Sequence, residues 1–210
     1  MALEKTKQQP AKARIQLYDK EQLKRADQYS QWASDLISKK LKRSKFKKLM
    51  QDDLKRYYIQ TALLGKNGRS LTARDRKDIS RFLSQAYQYL NGFYNDLKGY
   101  KAKISEAQIT ARAASYSNSW GVFSRFTIPA VIADMLPALP GVDCLGGANC
   151  GCWLEWSVSG QVVEVRWFLT AFKEHCVNCM AFAAEWQPLE LELPSQEEMD
   201  EEDWVDIEDW

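Results

Sequence analysis

The five cysteines of this chain fall in two tight groups, Cys144, Cys150 and Cys152, then Cys176 and Cys179, and the first 143 residues contain none. The spacing is C-x5-C-x-C followed by C-x2-C, with a hydrophobic hairpin pattern between the groups. Thiols gathered at such short intervals are metal-ligand chemistry more readily than disulfide chemistry. Four thiolates in a tetrahedron leave no open position, so zinc held this way is structural and not hydrolytic. Any two of the first three cysteines could serve. Cys150 and Cys152 adjoin the hairpin and are taken as ligands with Cys176 and Cys179, Cys144 being the substitute. Two other readings of the same thiols stay open: a disulfide such as Cys144 to Cys179 formed in an oxidising medium, and inert core thiols.

His175 is the only histidine. It is expected as a partly exposed bystander at a helix start, with ligation, or a hydrogen bond to a ligand, as the alternatives. The chain has no glycine-rich phosphate loop and no nucleophile elbow, and its carboxylates outside the C-terminal segment are scattered without metal-ligand spacing. Enzymatic activity is not expected.

The elements that must position these thiols can be read from periodicity. Val, Trp and Phe crowd residues 153–158 and 161–170, with Ser159-Gly160 as a two-residue turn between them. Pairing Val158 with Gln161 sets Trp156 opposite Val163, Leu154 opposite Val165 and Cys152 opposite Trp167. Such a hairpin folds Cys150 and Cys152 back towards Cys176. Cys176 and Cys179 then sit in the first turn of a helix, where unpaired amides and the positive dipole end favour thiolates. Knuckle, hairpin and two-ligand helix is a treble-clef arrangement.

The preceding two thirds read as helices. Leu23, Ala26, Ala33, Leu36, Ile37 and Leu41 follow helical spacing over 19–41, and a second helix from Ser44 should end at Gly65 before the turn Gly65-Lys66-Asn67-Gly68. Thr72 caps a third helix with the stripe Ile79, Phe82, Leu83, Ala86, Leu90, Phe93 and Leu97. Ser105 to Gln108 is a capping box opening a fourth, whose face carries Ile109, Ala113, Tyr116, Trp120 and Phe123. The expected organisation is α+β: a disordered basic arm over 1–17, an antiparallel helical domain over 18–127, a cysteine-rich treble-clef-like zinc module of hairpin and helix over 128–194, and an acidic tail over 195–210. The opening segment has no apolar signal-peptide core, and no apolar run is long enough to span a membrane.

A net charge of +1 conceals opposite halves. Residues 1–130 hold 27 of the 29 Lys and Arg against 11 of the 28 Asp and Glu, a net +16, and the remainder is at −15. Seven of the ten residues over 39–48 are basic: Lys39, Lys40, Lys42, Arg43, Lys45, Lys47 and Lys48. They form a candidate DNA-binding surface, with a solvated helix junction as the plainer alternative. Nine acidic residues and no basic one lie from Ser195 to Trp210. Opposed halves also suit head-to-tail association between copies, as in a homo-oligomeric scaffolding or assembly factor.

Three stretches together, Ile104 to Tyr116, Leu136 to Trp156 (LPxxPGxxCxxxxNCxCWxEW) and Glu174 to Leu189 (EHCVNCMAFAAEWQPL), resemble tailed-phage and prophage virion proteins of the minor capsid, or head-morphogenesis, type. The similarity covers roughly the last half of the chain and rests on the NCxC and CxxC elements with their flanking Trp and Pro residues. In the larger head-morphogenesis proteins the CxxC element comes first, whereas here Cys150 and Cys152 precede Cys176 and Cys179. The resemblance implies a structural role near the portal or inner head, other head and portal proteins as partners, and a path from host cytoplasm during assembly to the virion. It carries over no catalytic residue. A nucleic-acid-binding zinc protein or phage regulator is the alternative.

Overall fold

Helix termini set the frame, because each must satisfy backbone amides and carbonyls that lack partners within the helix. In a computed structural model, which describes residues 12–99, 104–143, 147–170 and 175–195, α1 spans Lys12–Ile37, α2 Arg43–Gly65 and α3 Ala73–Asp96. The arm expected over 1–17 therefore gives way to helix at its last six residues, where Arg14 donates to the Gly65 carbonyl at 2.7 Å; its first eleven lie outside the described residues.

Helix α2 ends at Gly65 as its turn chemistry predicts, and the residue that reverses the chain is Asn67, at φ 54°. Gly68 N–H returns to the Leu63 carbonyl at 2.8 Å and Asn67 N–H to that of Leu64 at 3.2 Å, so the last carbonyls are satisfied by a Schellman motif. Thr72 caps α3: its hydroxyl accepts from Asp75 N–H and the Asp75 carboxylate accepts from Thr72 N–H. Loss of such a cap costs about 1 kcal/mol. The same reciprocal pair, Ser105 with Gln108, opens α4, Glu106–Ser115.

The fourth helix does not run on to Phe123 as its stripe suggests. It stops at Ser115, and a separate α5 spans Trp120–Arg125. The break is held by polar groups: Tyr57 hydroxyl donates to the Ser117 carbonyl, Ser119 N–H donates to Tyr18 Oη, and Asn118 Oδ1 accepts from Trp120 N–H. Serine and asparagine side chains that bond to nearby backbone compete with helix continuation.

A first core is built from Phe46, Met50, Leu54 and Tyr58 of α2, Ile79, Phe82, Leu90 and Phe93 of α3, and Ile109 and Ala113 of α4. Helix α1 crosses α2 and α4. Its inner line is Tyr18, Tyr29 and Ala33, with Arg25 between them, so Leu23 of the expected stripe is 67% exposed. Arg25 on that line reaches Asp53, which is buried in α2, at 3.0 Å, and Tyr29 hydroxyl donates to the same carboxylate at 2.9 Å. A buried carboxylate needs such partners, and here they align α1 with α2.

The second core begins at Ile128 and takes in α6 (Ala130–Met135), the hairpin β1 (Trp153–Ser159) and β2 (Val162–Phe168), and α7 (Val177–Glu185). A further strand, β3 (Leu189–Glu192), completes an antiparallel sheet in the order β1-β2-β3. The fold is thus α+β. Strand β3 is not among the predicted elements, although the alternation Leu189, Leu191, Leu193 is its signature.

The hairpin register differs from the sequence-based pairing by two residues. Trp156 faces Val165 and Leu154 faces Trp167, with Ser159 opposite Val162. Gly160, at φ 65°, occupies the first central position of the turn, where a type II′ geometry demands glycine. A shift of two preserves sidedness. Leu154, Trp156, Val163, Val165 and Trp167 all stay on the buried face.

The two cores meet at a glycine contact. A Cβ on Gly121 of α5 would lie 2.5 Å from the Gly147 carbonyl, and one on Gly141 would lie 2.9 Å from the Phe82 ring and 3.0 Å from that same carbonyl. The loop that leads to the cysteines is thereby pressed onto α3 and α5. Arg74 of α3 also pairs with Asp134 of α6 across this junction.

Candidate metal centre

Cys150 and Cys152 stand at the start of the hairpin, immediately after the 3-10 turn Gly147–Asn149 and before Trp153 of β1. Cys150 N–H donates to the Gly147 carbonyl at 3.0 Å, so the glycine contact that joins the cores also sets the backbone of the first thiol. Cys176 is the N-cap residue of α7 and Cys179 lies one turn in. The hairpin brings these two ends of the module together.

The sulfurs of Cys150, Cys152 and Cys179 all lie within 4.8 Å of one another, and all three residues are buried. Cys150 and Cys179 are 3.9 Å apart, Sγ to Sγ, far beyond a disulfide bond of about 2.05 Å. Two thiolates on one tetrahedral zinc, with Zn–S of about 2.3 Å, stand about 3.8 Å apart. Cys176 is half-buried, and its sulfur is 3.4 Å from that of Cys179. The buried Cys150, Cys152 and Cys179 group could hold a metal ion. Cys144, the substitute ligand, lies outside the described residues.

The setting of the sulfurs is apolar. They belong to the second core, with Trp167, Phe182 and Trp186 in one aromatic cluster at centroid spacings of 4.9–5.6 Å. Thiolates in such surroundings require a counter-charge, and the uncapped amides of the α7 N-terminus offer only part of one. A divalent cation bound by three or four sulfurs meets the need.

His175 does not sit as a bystander. Its Nδ1 is 3.6 Å from Cys152 Sγ and its Nε2 is 2.8 Å from the Thr170 carbonyl oxygen. The sequence signal was its position beside Cys176; the partners come from the end of the hairpin, five residues earlier for Thr170, and from its start for Cys152. Gly151, between Cys150 and Cys152, lies against Thr170: a Cβ there would be 2.7 Å from Thr170 Cγ2.

The basic residues form a second, separate feature. Lys39, Lys40, Lys42, Arg43, Lys45 and Lys48 are each exposed or half-exposed, as is Lys47, over the α1–α2 turn and the first turns of α2. Lys47 and Lys98 approach the Tyr94 ring, at 5.0 and 5.9 Å from its centroid, and Arg43 donates to the Leu97 carbonyl at 3.3 Å. The turn is thus joined to the C-terminal end of α3, which adds Lys98 to the cluster. Among the described residues, no helix is long and apolar enough to cross a membrane. No protein family, curated protein or solved structure matches the chain.

Proposed function

We propose that this chain is a structural, non-enzymatic virion protein of the minor-capsid type whose C-terminal module is held together by zinc in a treble-clef-like arrangement. The observation that carries the zinc reading is the convergence of Cys150, Cys152 and Cys179 from two separate segments onto one buried point. Zinc suits a sulfur-rich, closed, apolar shell better than calcium or magnesium, which take oxygen ligands. A metal with every position filled by protein has no place for a substrate, and its chemistry is to cross-link the hairpin start to α7. Cys176 is the fourth ligand that the CxxC spacing suggests. The virion role rests on the resemblance of the NCxC and CxxC segments, with head and portal proteins as partners and the host cytoplasm as the site of assembly.

Metal analysis of the purified full chain should find one zinc per molecule, and well below one removes the zinc reading. Purified particles should contain the protein, undiminished after nuclease treatment. Its absence from particles removes the virion role.

A second reading, binding of nucleic acid, draws on the exposure of the seven basic residues over the α1–α2 turn and the start of α2, of which Lys47 approaches Tyr94. Such a surface neutralises phosphates without reading bases, and affinity then falls steeply with salt. A titration with duplex DNA at low salt that shows no binding removes it.

A further inference from the structure

The fourth metal ligand can be argued from the protons around His175. Thr170 offers a backbone carbonyl, which only accepts, so the proton between them belongs to Nε2 of His175. A neutral imidazole with Nε2 protonated carries a lone pair on Nδ1, and that atom is 3.6 Å from Cys152 Sγ. When Cys152 is a thiolate, it too can only accept. Two acceptors held face to face in a buried module need a proton or a metal ion between them, and a metal ion also neutralises the neighbouring sulfurs.

We infer that His175 Nδ1 joins Cys150, Cys152 and Cys179 when the ion binds, closing from its contact with Cys152 onto the three sulfurs that already lie within 4.8 Å of one another, and that Cys176 stays outside the shell. This rests on the zinc reading above. In a mixed tetrahedron with Zn–S of about 2.3 Å and Zn–N of about 2.0–2.1 Å, sulfur and nitrogen stand about 3.5–3.6 Å apart, the separation of Cys152 from His175. A ligating histidine characteristically donates its other ring N–H to a carbonyl or carboxylate, which fixes tautomer and ring plane; the Thr170 carbonyl is placed to do this. Gly151 makes the arrangement sterically feasible, since its bare backbone lets Thr170 close on the Cys150–Cys152 segment.

Cys176 has a different part. Its sulfur touches Cys179 at 3.4 Å but is not among the three that lie within 4.8 Å of one another, and it is half-exposed. At that distance Cys176 Sγ is placed to donate to Cys179 Sγ and so to support that ligand from outside the shell. The resulting shell of three thiolates and one imidazole carries one negative charge fewer than a shell of four thiolates, which lowers the cost of placing it in an apolar core.

The test is X-ray absorption at the zinc edge on the zinc-loaded full chain. Three sulfurs and one nitrogen, the nitrogen at about 2.0–2.1 Å, is the expected shell, whereas four sulfurs overturns the assignment while leaving the zinc reading intact. A chain that takes up no zinc overturns both, and is recognised by the missing metal signal. Competition with a chelator gives a second measure. His175→Gln should lower zinc affinity more than about 100-fold and Cys176→Ser by no more than about 100-fold, the range of losses seen when a partner of a ligand is removed. The reverse ranking overturns the assignment.

Discussion

Arg125 of α5 and Asp78 of α3 form an ion pair at 2.8 Å with both side chains almost wholly removed from water. Arg125 Nε donates to the same carboxylate oxygen at 3.0 Å. The pair fastens α3 to the short helix that touches both β1 and the turn before Cys150, so it lies in the path between the helical core and the candidate metal centre. Burial lowers the Arg125 pKa and the Asp78 charge works against that, so the guanidinium depends on its partner.

Breaking this pair from one side should therefore be severe. Asp78→Ala leaves a buried cation without a counter-charge and should cost about 3–5 kcal/mol in urea unfolding. The double replacement Asp78→Leu with Arg125→Met removes both charges and should recover most of that loss. A single variant that unfolds at the wild-type midpoint shows that the pair is not structural.

Acid should weaken the α2–α3 connection through Asp75. Burial alone raises its pKa, but the Lys66 ammonium at 2.7 Å and the Thr72 amide outweigh burial and hold the carboxyl below its ordinary value. A folded-state pKa below the unfolded one means that the stabilisation is complete above the unfolded value of about 3.9 and is lost as pH falls through the folded one. Wild type and Asp75→Asn should differ most in stability above about pH 5, and the difference should shrink as pH falls below the unfolded value of about 3.9. A constant difference across that range refutes the linkage.

How much of this could be read in advance depended on where each signal came from. The caps at Thr72 and Ser105 and the stripe from Ile79 to Phe93 were legible, because hydrogen bonds within one turn and a 3.6-residue period are local. The cysteine group was legible for the same reason, since its spacing is short. The inner line of α1 was not: Arg25 faces inward only because Asp53 of α2 waits there, and no property of α1 alone announces it. The break after Ser115 depends on Tyr57 and Tyr18, which lie 60 residues before Ser117 and 101 before Ser119. The register slipped by two because the turn type, and not the alternation, decides where Gly160 must sit. His175 stayed obscure because its partners arrive through the hairpin.

Two glycines that share a positive φ should respond unequally to alanine. Gly160, at φ 65°, has open space where a Cβ would go, so Gly160→Ala adds backbone strain alone, about 1 kcal/mol. Gly141, at φ 79°, adds contacts of 2.9 Å with Phe82 and 3.0 Å with the Gly147 carbonyl. Gly141→Ala should then cost at least about 2 kcal/mol more, in the range of overpacked cores. Equal losses in denaturant unfolding remove the close packing between the two cores as a structural element.

The basic surface makes a prediction in salt. For duplex DNA the slope of log affinity against log salt is about −0.9 for each phosphate neutralised. Replacing Lys45, Lys47 and Lys48 together with Gln should flatten the slope by about 2 to 3 and leave the unfolding midpoint near that of the wild type, since none of the three is buried. An unchanged slope removes these residues from any phosphate contact.

Metal removal should separate the two cores spectroscopically. The first core has its own buried residues from Tyr29 to Tyr116, and α1 to α4 supply most of the helix signal. The second depends on a small set of contacts around sulfurs that repel one another once thiolates lose their cation. Chelation should therefore abolish much of the near-ultraviolet circular dichroism from Trp167, Trp186 and Phe182, which pack within 5.6 Å of one another, while helical ellipticity falls only slightly. Zinc should restore the aromatic signal at one equivalent. Loss of both signals in a single step means that the glycine contact at Gly121 and Gly141 couples the cores into one cooperative unit. An aromatic signal indifferent to the chelator means that packing alone, without a metal, holds the cysteine module.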